Sequence, residues 1–333
     1  MIEFNSLNKL DSLDKLVCRR DVMAKKDLLS IYDLSAKEIK ALLSKSFEFK
    51  SRKKSLDVFK GKILGLIFEK PSTRTMVSFT TAMLQLGGTP VFLNTENLQR
   101  KRGESVHDTA AVLSRYLNGI MVRAFKHSDV EEFAKYSTIP VINGLTDYEH
   151  PCQILADIMT IMEFHKAKTI GALKKIKIVF TGDSNNIANS LLAISAVLGL
   201  DFTLISPKEY LPKKEILNKA LGYTSSTGAA IKITSDVGEA KNADVIYTDV
   251  WTSMGFEAEE RKRKKAFSPY QVNGELLKKA SSKCIVLHCL PAIRGEEITE
   301  EIMDKYEDSI FTQAENRLYV QKAILLHFLG TAG

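Results

Sequence analysis

Segments of helix length and strand length alternate along the chain from Asp27 onward. Short apolar runs, such as 62–68 and 177–180, are followed by longer stretches in which apolar residues recur with helical spacing. This alternation is typical of parallel sheets whose strands are connected by helices. We therefore predict an α/β fold of mainly parallel sheets flanked by helices.

The individual elements follow from this pattern together with glycine, proline and capping residues. Strands are predicted at 62–68, 89–93, 119–123, 177–180, 201–205, 244–248 and 284–288. Helices are predicted at 36–49, 77–86, 106–117, 151–165 and 318–329. Turns are predicted at Gly87-Gly88 and Asn143-Gly144.

A chain of 333 residues is long for one hydrophobic core and suits two domains. We place the boundary near residue 165, where a long predicted helix ends before the strand pattern begins again. The expected parts are an N-terminal extension (1–26), a first domain (27–165), a second domain (166–317) and a C-terminal segment (318–333) whose helix packs back on the first domain.

The formal charge of +7 and the basic runs 50–54 and 261–265 raise the possibility of nucleic-acid binding. The second run, however, lies three or four residues from Glu257, Glu259 and Glu260, as expected for an ion-paired, solvated helix face. A net positive charge also concentrates small anions around a cleft. We expect an anionic small substrate and no nucleic-acid partner.

The cysteines and the hydropathy pattern indicate a reducing, aqueous compartment. No disulfide spacing connects Cys18, Cys152, Cys284 and Cys289. No apolar stretch reaches the roughly 18 residues that a membrane span requires. The first 26 residues resemble neither a secretory signal nor an acid-poor transit peptide. We expect a cytoplasmic protein without a membrane partner.

Three hydroxyl residues surround an arginine in Pro71-Ser72-Thr73-Arg74-Thr75, directly after a predicted strand. Pro71 suits the first position of a helix, which would put the hydroxyls at a helix N-terminus. Free N–H groups, the helix dipole and the arginine fork all favour an anion there. We interpret the motif as a phosphate site, with an ordinary helix cap as the alternative.

Three further motifs stand at predicted helix starts or strand ends. In His150-Pro151-Cys152-Gln153 the proline opens a helix, so His150 and Gln153 can face one cleft. Asp249 and His288-Cys289-Leu290-Pro291 each follow an apolar strand, where open α/β sheets bind ligands. Taken singly, each of these motifs also has an ordinary structural interpretation as a cap or a turn.

Metal and dinucleotide sites are not favoured by the sequence. A zinc site built from Cys152, His150, His288 and Cys289 would need the adjacent pair 288–289 to bind together, which is not the usual ligand spacing. The turn at 182–185 lacks the G-x-G-x-x-G pattern of dinucleotide sites, and 71–75 lacks the glycines of a Walker A loop. We expect no metal and no cofactor.

Taken together and in this order, the motifs resemble those of the transcarbamylase family, over about Lys26 to the end of the chain. Residues 72–75 are similar to the family's carbamoyl-phosphate motif, and 150–153 to its carbonyl-polarising motif. Asp249 with Ser253-Met254-Gly255 resembles the ornithine-binding loop, which the aspartate-using relatives lack. The family motif that frames the reacting amine is similar to 288–291, and Glu315-Asn316-Arg317 also matches.

The resemblance implies two domains with the active site in the cleft between them, the first binding carbamoyl phosphate and the second L-ornithine. The implied reaction transfers the carbamoyl group to the side-chain amine of ornithine, giving citrulline and phosphate. It also implies a homotrimer or a multiple of trimers. A sibling carbamoyltransferase with a different amine acceptor remains the alternative, and the physiological direction stays open.

Residue roles are implied in the same way. Carbamoyl phosphate would be bound by Ser72, Thr73, Arg74, Thr75, Gln99, Arg123, His150, Gln153, Cys289, Leu290 and Arg317. Ornithine would be bound by Asn186, Asp249, Ser253 and Met254. The residues with a catalytic role would be Arg123, His150, Gln153, Asp249, Cys289 and Arg317.

Two positions depart from the family pattern. Met76 stands where many relatives have a second arginine, and Ala292 stands where others have arginine after the proline. The first departure affects a supporting electrostatic contact, because the phosphate-facing residues 72–75 are intact. The second is a variant of the motif.

Overall fold

The computed structural model describes residues 25–52, 56–94, 103–252 and 257–330. Residues 1–24, Gln99, and Ser253 with Met254 therefore lie outside the described part of the chain. Within that part, the strands form two separate sheets in which every strand pair is parallel. The predicted α/β class with parallel sheets flanked by helices is confirmed.

The first sheet has four strands in the order β2-β1-β3-β4. The strands are β1 (Ile63–Phe68), β2 (Thr89–Asn94), β3 (Gly119–Arg123) and β4 (Val141–Leu145). The helices of this half are α1 (Ala36–Ser51), α2 (Thr73–Gln85), α3 (Val106–Tyr116), α4 (His127–Tyr136) and α5 (Pro151–Phe164). Because Phe68 and Arg123 are register partners, the chain leaves β1 and β3 at the same edge of the sheet.

The second sheet has five strands in the order β7-β6-β5-β8-β9. The strands are β5 (Lys177–Thr181), β6 (Asp201–Ile205), β7 (Ala230–Thr234), β8 (Val245–Thr248) and β9 (Ile285–His288). The helices are α6 (Ile170–Leu173), α7 (Asn186–Leu198), α8 (Lys214–Thr227), α9 (Glu260–Phe267), α10 (Gly274–Leu277), α11 (Glu300–Lys305) and α12 (Glu307–Leu329). The strand order reverses between β5 and β8, which opens a crevice at their carboxyl ends.

Two apolar helices and the last helix join the halves. Most of α5 and α7 is buried on all sides, as expected for helices inside a core rather than on a surface. The last helix, α12, packs on α1, α2 and α5 of the first half and also on β9 of the second. One hydrophobic cluster therefore runs through both halves, with Phe79, Ile158, Ile194 and Ile324 among its members. Among the described residues, no helix is both long and apolar enough to cross a membrane.

The predicted turn at Asn143-Gly144 is wrong, because both residues lie inside β4. The Asn143 side chain is buried and donates a hydrogen bond to the Leu29 carbonyl oxygen at 2.8 Å. A Cβ on Gly144 would lie 2.2 Å from the sulfur of Met121. This Asn-Gly pair therefore reflects a buried amide and a close strand contact, not a change of chain direction.

Three other details differ from the sequence predictions. Helix α2 begins at Thr73 with Ser72 as its N-cap, so Pro71 precedes the cap instead of opening the helix. The last helix begins at Glu307, well before the predicted start at 318. Strand β7 was missed because its residues are only partly buried and include Lys232 and Thr234, so they form no apolar run.

Gly144→Ala should lower the free energy of unfolding by about 1–3 kcal/mol, because the new methyl group would collide with the fully buried Met121. Urea denaturation followed by circular dichroism measures the change. Gly222→Ala is the matched control, since a Cβ there meets nothing within 4 Å and the residue lies in α8. The control should gain up to about 1 kcal/mol; a loss no larger at 144 than at 222 would contradict the packing argument.

Candidate active site

A cleft of about 1440 Å³ opens between the two sheets and is lined by segments that follow their strands. Lining segments leave β1 at 70–74, β3 at 123–128, β5 at 183–187 and β8 at 249–252. Residues of all four predicted motifs reach this cleft, including Arg74, His150, Asp249 and Leu290. Such a position at the carboxyl ends of parallel strands is where open α/β sheets bind ligands.

The motif at 72–75 combines a helix cap with side chains that face the cleft. Ser72 Oγ accepts a hydrogen bond from the Thr75 N–H at 3.3 Å, which is the capping role considered from the sequence. Arg74 Nη2 donates to the Leu290 carbonyl oxygen at 2.7 Å, across the cleft. Thr75 is fully buried, and its hydroxyl oxygen accepts from Arg317 Nη2 at 2.7 Å. Thr73 is exposed at the start of the helix.

His150 is the N-cap residue of α5 and is 3% exposed. Its main-chain N–H donates to Ser190 Oγ at 2.8 Å, whereas Nδ1 of its ring has no partner among the described residues. Burial, followed by the charges of Arg317 and Arg123, lowers the pKa of His150 well below its ordinary value. The imidazole is therefore neutral near pH 7 and can donate one N–H without adding a charge.

Two more arginines, Arg123 and Arg317, lie close enough to His150 for their charges to lower its pKa. Burial, followed by Arg317 and Arg74, lowers the pKa of Arg123 to about 10. Burial is also the main cause that lowers the pKa of Arg317. The Nε atoms of both side chains are buried without a hydrogen-bond partner in the described chain. Crowded cations with unused donors favour a bound anion, which would pair with both.

We call Arg74, Arg123, Arg317 and His150 together the cationic pole of the cleft. A buried carboxylate holds the residues beneath this pole in place. Asp157 Oδ1 accepts from Gln153 Nε2 and Gln313 Nε2, each at 2.7 Å, and Oδ2 accepts from the Tyr247 hydroxyl at 3.0 Å. Gln153 Oε1 in turn accepts from Arg317 Nη1 at 2.9 Å. The amide of Gln153 is therefore oriented by Asp157 on one side and holds Arg317 on the other.

A second part of the cleft, which we call the acidic pole, is built around the carboxylate of Asp249. Asp249 Oδ2 accepts from Asn185 Nδ2 at 2.7 Å, and Oδ1 accepts from the Cys289 thiol at 3.0 Å. Burial, reinforced by Asp249, raises the pKa of Cys289 well above its ordinary value. Cys289 is thus a protonated donor to Asp249 and not an activated nucleophile. Asn186, predicted to contact ornithine, donates to the Thr146 carbonyl oxygen at 2.7 Å.

His288, Cys289 and Asp249 bring potential metal-ligand atoms within 4.8 Å of one another. Both ring nitrogens of His288 are already used, however. Nδ1 accepts from the Leu290 N–H at 2.9 Å, which leaves the proton on Nε2 to be donated to Glu297 Oε1 at 2.9 Å. A metal would have to break one of these buried hydrogen bonds, so the geometry does not favour a metal site.

Two family models match consecutive parts of the chain. The carbamoyl-P binding domain of aspartate/ornithine carbamoyltransferase matches residues 26–163, and the Asp/Orn binding domain of the same family matches 174–328. The chain belongs to the aspartate/ornithine carbamoyltransferase family. The predicted membership in the transcarbamylases, a family of transferases, is confirmed.

Relatives and solved structures agree with this assignment. The ornithine carbamoyltransferase of Methanosphaera stadtmanae is 51% identical over 91% of this chain and 98% of its own length. The anabolic ornithine carbamoyltransferase of Pyrococcus furiosus is 46% identical over 92% and 98%. The solved structure of ornithine carbamoyltransferase from Pyrococcus furiosus has a TM-score of 0.87, with 46% identity, and covers 93% of this chain and 99% of that one.

Arg263 corrects the prediction of a fully solvated face at 261–265. It is 4% exposed, donates from Nε to the Trp251 carbonyl oxygen at 2.7 Å and pairs with Asp183. Its neighbour Lys264 does behave as predicted, pairing with Glu260 at 2.7 Å. The overlooked signal was Phe267, four residues after Arg263 and fully buried, which marks the inward side of α9.

Asp157→Asn should lower the free energy of unfolding by about 1–3 kcal/mol, because one amide oxygen cannot accept from three buried donors and the new NH₂ faces one of them. Because Gln153 and Arg317 lose their support, kcat should also fall, by about tenfold or more. Asp308→Asn is the control at an exposed position and should stay within about 0.5 kcal/mol. Urea unfolding at pH 8 and initial-rate kinetics measure both effects; an unchanged kcat would show that this network does not support the site.

Proposed function

We propose that this chain transfers the carbamoyl group of carbamoyl phosphate to the side-chain amine of L-ornithine, forming L-citrulline and phosphate. The observation that carries the proposal is that one cleft holds both a cluster of cations and a carboxylate. Arg74, Arg123 and Arg317 lie around neutral His150, and Asp249 lines the same cleft. An anionic donor and a cationic amine acceptor match these poles, and the relatives named above carry the name ornithine carbamoyltransferase.

At the cationic pole, Ser72, Thr73, Arg74 and Thr75 bind the phosphate. Arg123, His150 and Arg317 stabilise the negative charge that develops on the carbonyl oxygen. The neutral state of His150 suits this role, because an N–H donor is available without protonation. Gln153 orients the carbamoyl amino group through its carboxamide oxygen, which Arg317 already holds in place.

At the acidic pole, Asp249 pairs with the α-ammonium of ornithine, while Asn186, Ser253 and Met254 hold its carboxylate. The side-chain amine lies near Cys289 and the carbonyl oxygen of Leu290. After the amine loses a proton, its nitrogen lone pair forms the new C–N bond, the C–O bond to phosphate breaks, and the nitrogen passes a second proton to the departing phosphate. Phosphate leaves with that electron pair, so the enzyme supplies position and charge stabilisation without a covalent intermediate.

We also propose how these roles divide along the chain. Residues 27–165 form the carbamoyl-phosphate-binding domain and 166–317 the ornithine-binding domain, with the helix of the C-terminal segment, 318–333, packed on the first. The contact of α12 with α1, α2 and α5 supports this, although α12 begins at Glu307 and so crosses the proposed boundary at 317. The enzyme works in the cytoplasm and requires no membrane partner.

A citrulline assay with carbamoyl phosphate and a panel of ornithine, putrescine, lysine and aspartate tests the function. Ornithine should be the preferred acceptor; preference for another amine would indicate a sibling carbamoyltransferase.

Arg74→Ala should abolish turnover with the fold intact, because it removes a charge from the cationic pole and not from the core.

Asp249→Asn should raise KM for ornithine far more than KM for carbamoyl phosphate. An equal rise in both KM values would refute the assignment of the poles.

We propose further that the enzyme is a homotrimer, or a multiple of trimers, in which Gln99 of one subunit completes the phosphate site around Arg74 of the next. Chains carrying Arg74→Ala and chains carrying Gln99→Glu, each nearly inactive, are unfolded together and reassembled. A site is intact only where Arg74 and the neighbouring Gln99 are both wild-type, so random mixing should restore about a quarter of the activity. If mixed trimers form but activity does not recover, Gln99 lies outside the shared site.

A further inference from the structure

We infer that Ser190 is a positioning residue for His150, and that α7 of the second half thereby sets the imidazole in the cationic pole. Ser190 lies more than thirty residues after His150 in sequence, and none of the sequence motifs contains it. The inference rests on the proposed function, because it takes His150 as a group that contacts the carbamoyl carbonyl.

The hydrogen bonds of the Ser190 hydroxyl are unambiguous. Ser190 is fully buried in α7, and its Oγ donates to the Asn186 carbonyl oxygen at 2.7 Å. A hydroxyl has one proton, which is used in that bond, so its oxygen is the acceptor for the His150 N–H at 2.8 Å. The donor and the acceptor in each of the two hydrogen bonds are therefore fixed.

Ser190 is one of three residues of α7 that hold the 146–150 loop. Asn186 Nδ2 donates to the Thr146 carbonyl oxygen at 2.7 Å, and Asn189 Nδ2 donates to the Tyr148 carbonyl oxygen at 3.0 Å. With Ser190, three side chains of one helix hold three main-chain groups of the loop that carries His150. A helix of the second half therefore fixes a loop of the first.

The imidazole of His150 depends on this main-chain anchor. As the N-cap residue, His150 makes no side-chain capping hydrogen bond, and its Nδ1 has no partner among the described residues. The ring position therefore depends on the packing around this buried residue and on the main chain that carries it, which Ser190 holds. A displacement of about 1 Å at a reacting group can cost on the order of 100-fold in rate.

The variant Ser190→Ala tests the inference against a matched control on the same helix, Ser195→Ala. Ser195 is also fully buried in α7, but its hydroxyl has no hydrogen-bond partner among the residues that the structure describes, so its removal breaks no hydrogen bond there. We expect Ser190→Ala to lower kcat/KM for carbamoyl phosphate by roughly 10- to 100-fold and Ser195→Ala to change it less than about twofold. Ser190→Cys keeps a weaker acceptor, so its kcat/KM should lie between those of wild type and Ser190→Ala. This variant replaces Ser190→Ala in the test if the alanine variant does not fold.

A double-mutant cycle separates positioning from general structural damage. If Ser190 acts through the imidazole, Ser190→Ala should have almost no further effect on the residual activity of His150→Ala, which has no ring to position. Equal effects in both backgrounds, or equal effects of the Ser190 and Ser195 substitutions, would overturn the inference.

Imidazole NMR of the ligand-free protein gives a readout that is independent of turnover. The ring resonances of His150 should shift in Ser190→Ala and stay unchanged in Ser195→Ala; no shift in Ser190→Ala counts against the inference. A wild-type enzyme that fails to make citrulline would refute the proposed function, while the NMR comparison would still decide whether Ser190 positions the ring.

Discussion

The carboxylate of Asp157 is the buried group on which the geometry of the cleft depends. It lies on α5 yet accepts hydrogen bonds from Tyr247 on β8 and Gln313 on α12. Gln313 in turn accepts from the main-chain N–H of His288 at 2.9 Å. One carboxylate thus ties the floor of the cationic pole to two strands that lead to the acidic pole. Burial raises the pKa of Asp157 to about 7, and three donors oppose that rise.

The sign of that shift explains why the donors matter. A carboxyl whose pKa is raised on folding contributes stability at low pH that is lost as pH rises through about 7. Near neutral pH the charged form of Asp157 therefore costs folding free energy, and the three hydrogen bonds offset part of that cost. A polar network that is fully satisfied specifies one arrangement of its members, which is what a site built on Gln153 and Arg317 requires.

Strands and site residues could be predicted from the sequence where burial produces an apolar run or function produces a motif. Continuous apolar runs identified β1 and β3, and the motif residues Arg74, His150 and Asp249 all reach one cleft. Prediction from the sequence failed where the cause is a tertiary contact. The Asn143-Gly144 pair carries a local turn signal that a buried amide and the neighbouring Met121 override. Likewise, the hydrogen bonds of Asn189 and Ser190 to the main chain of a distant loop produce no periodic pattern in the sequence.

The contact between Arg74 and the Leu290 carbonyl oxygen links the two poles directly. Under the proposed function this oxygen lies where the reacting amine must come, so in the ligand-free protein an arginine uses the acceptor that the amine needs. A phosphate group offers Arg74 a full negative charge and two oxygens that can accept its fork together, whereas the Leu290 carbonyl offers one neutral oxygen. Bound carbamoyl phosphate would therefore draw Arg74 away and release Leu290. Charge complementarity alone then favours binding of the anion before the amine, without a separate gate.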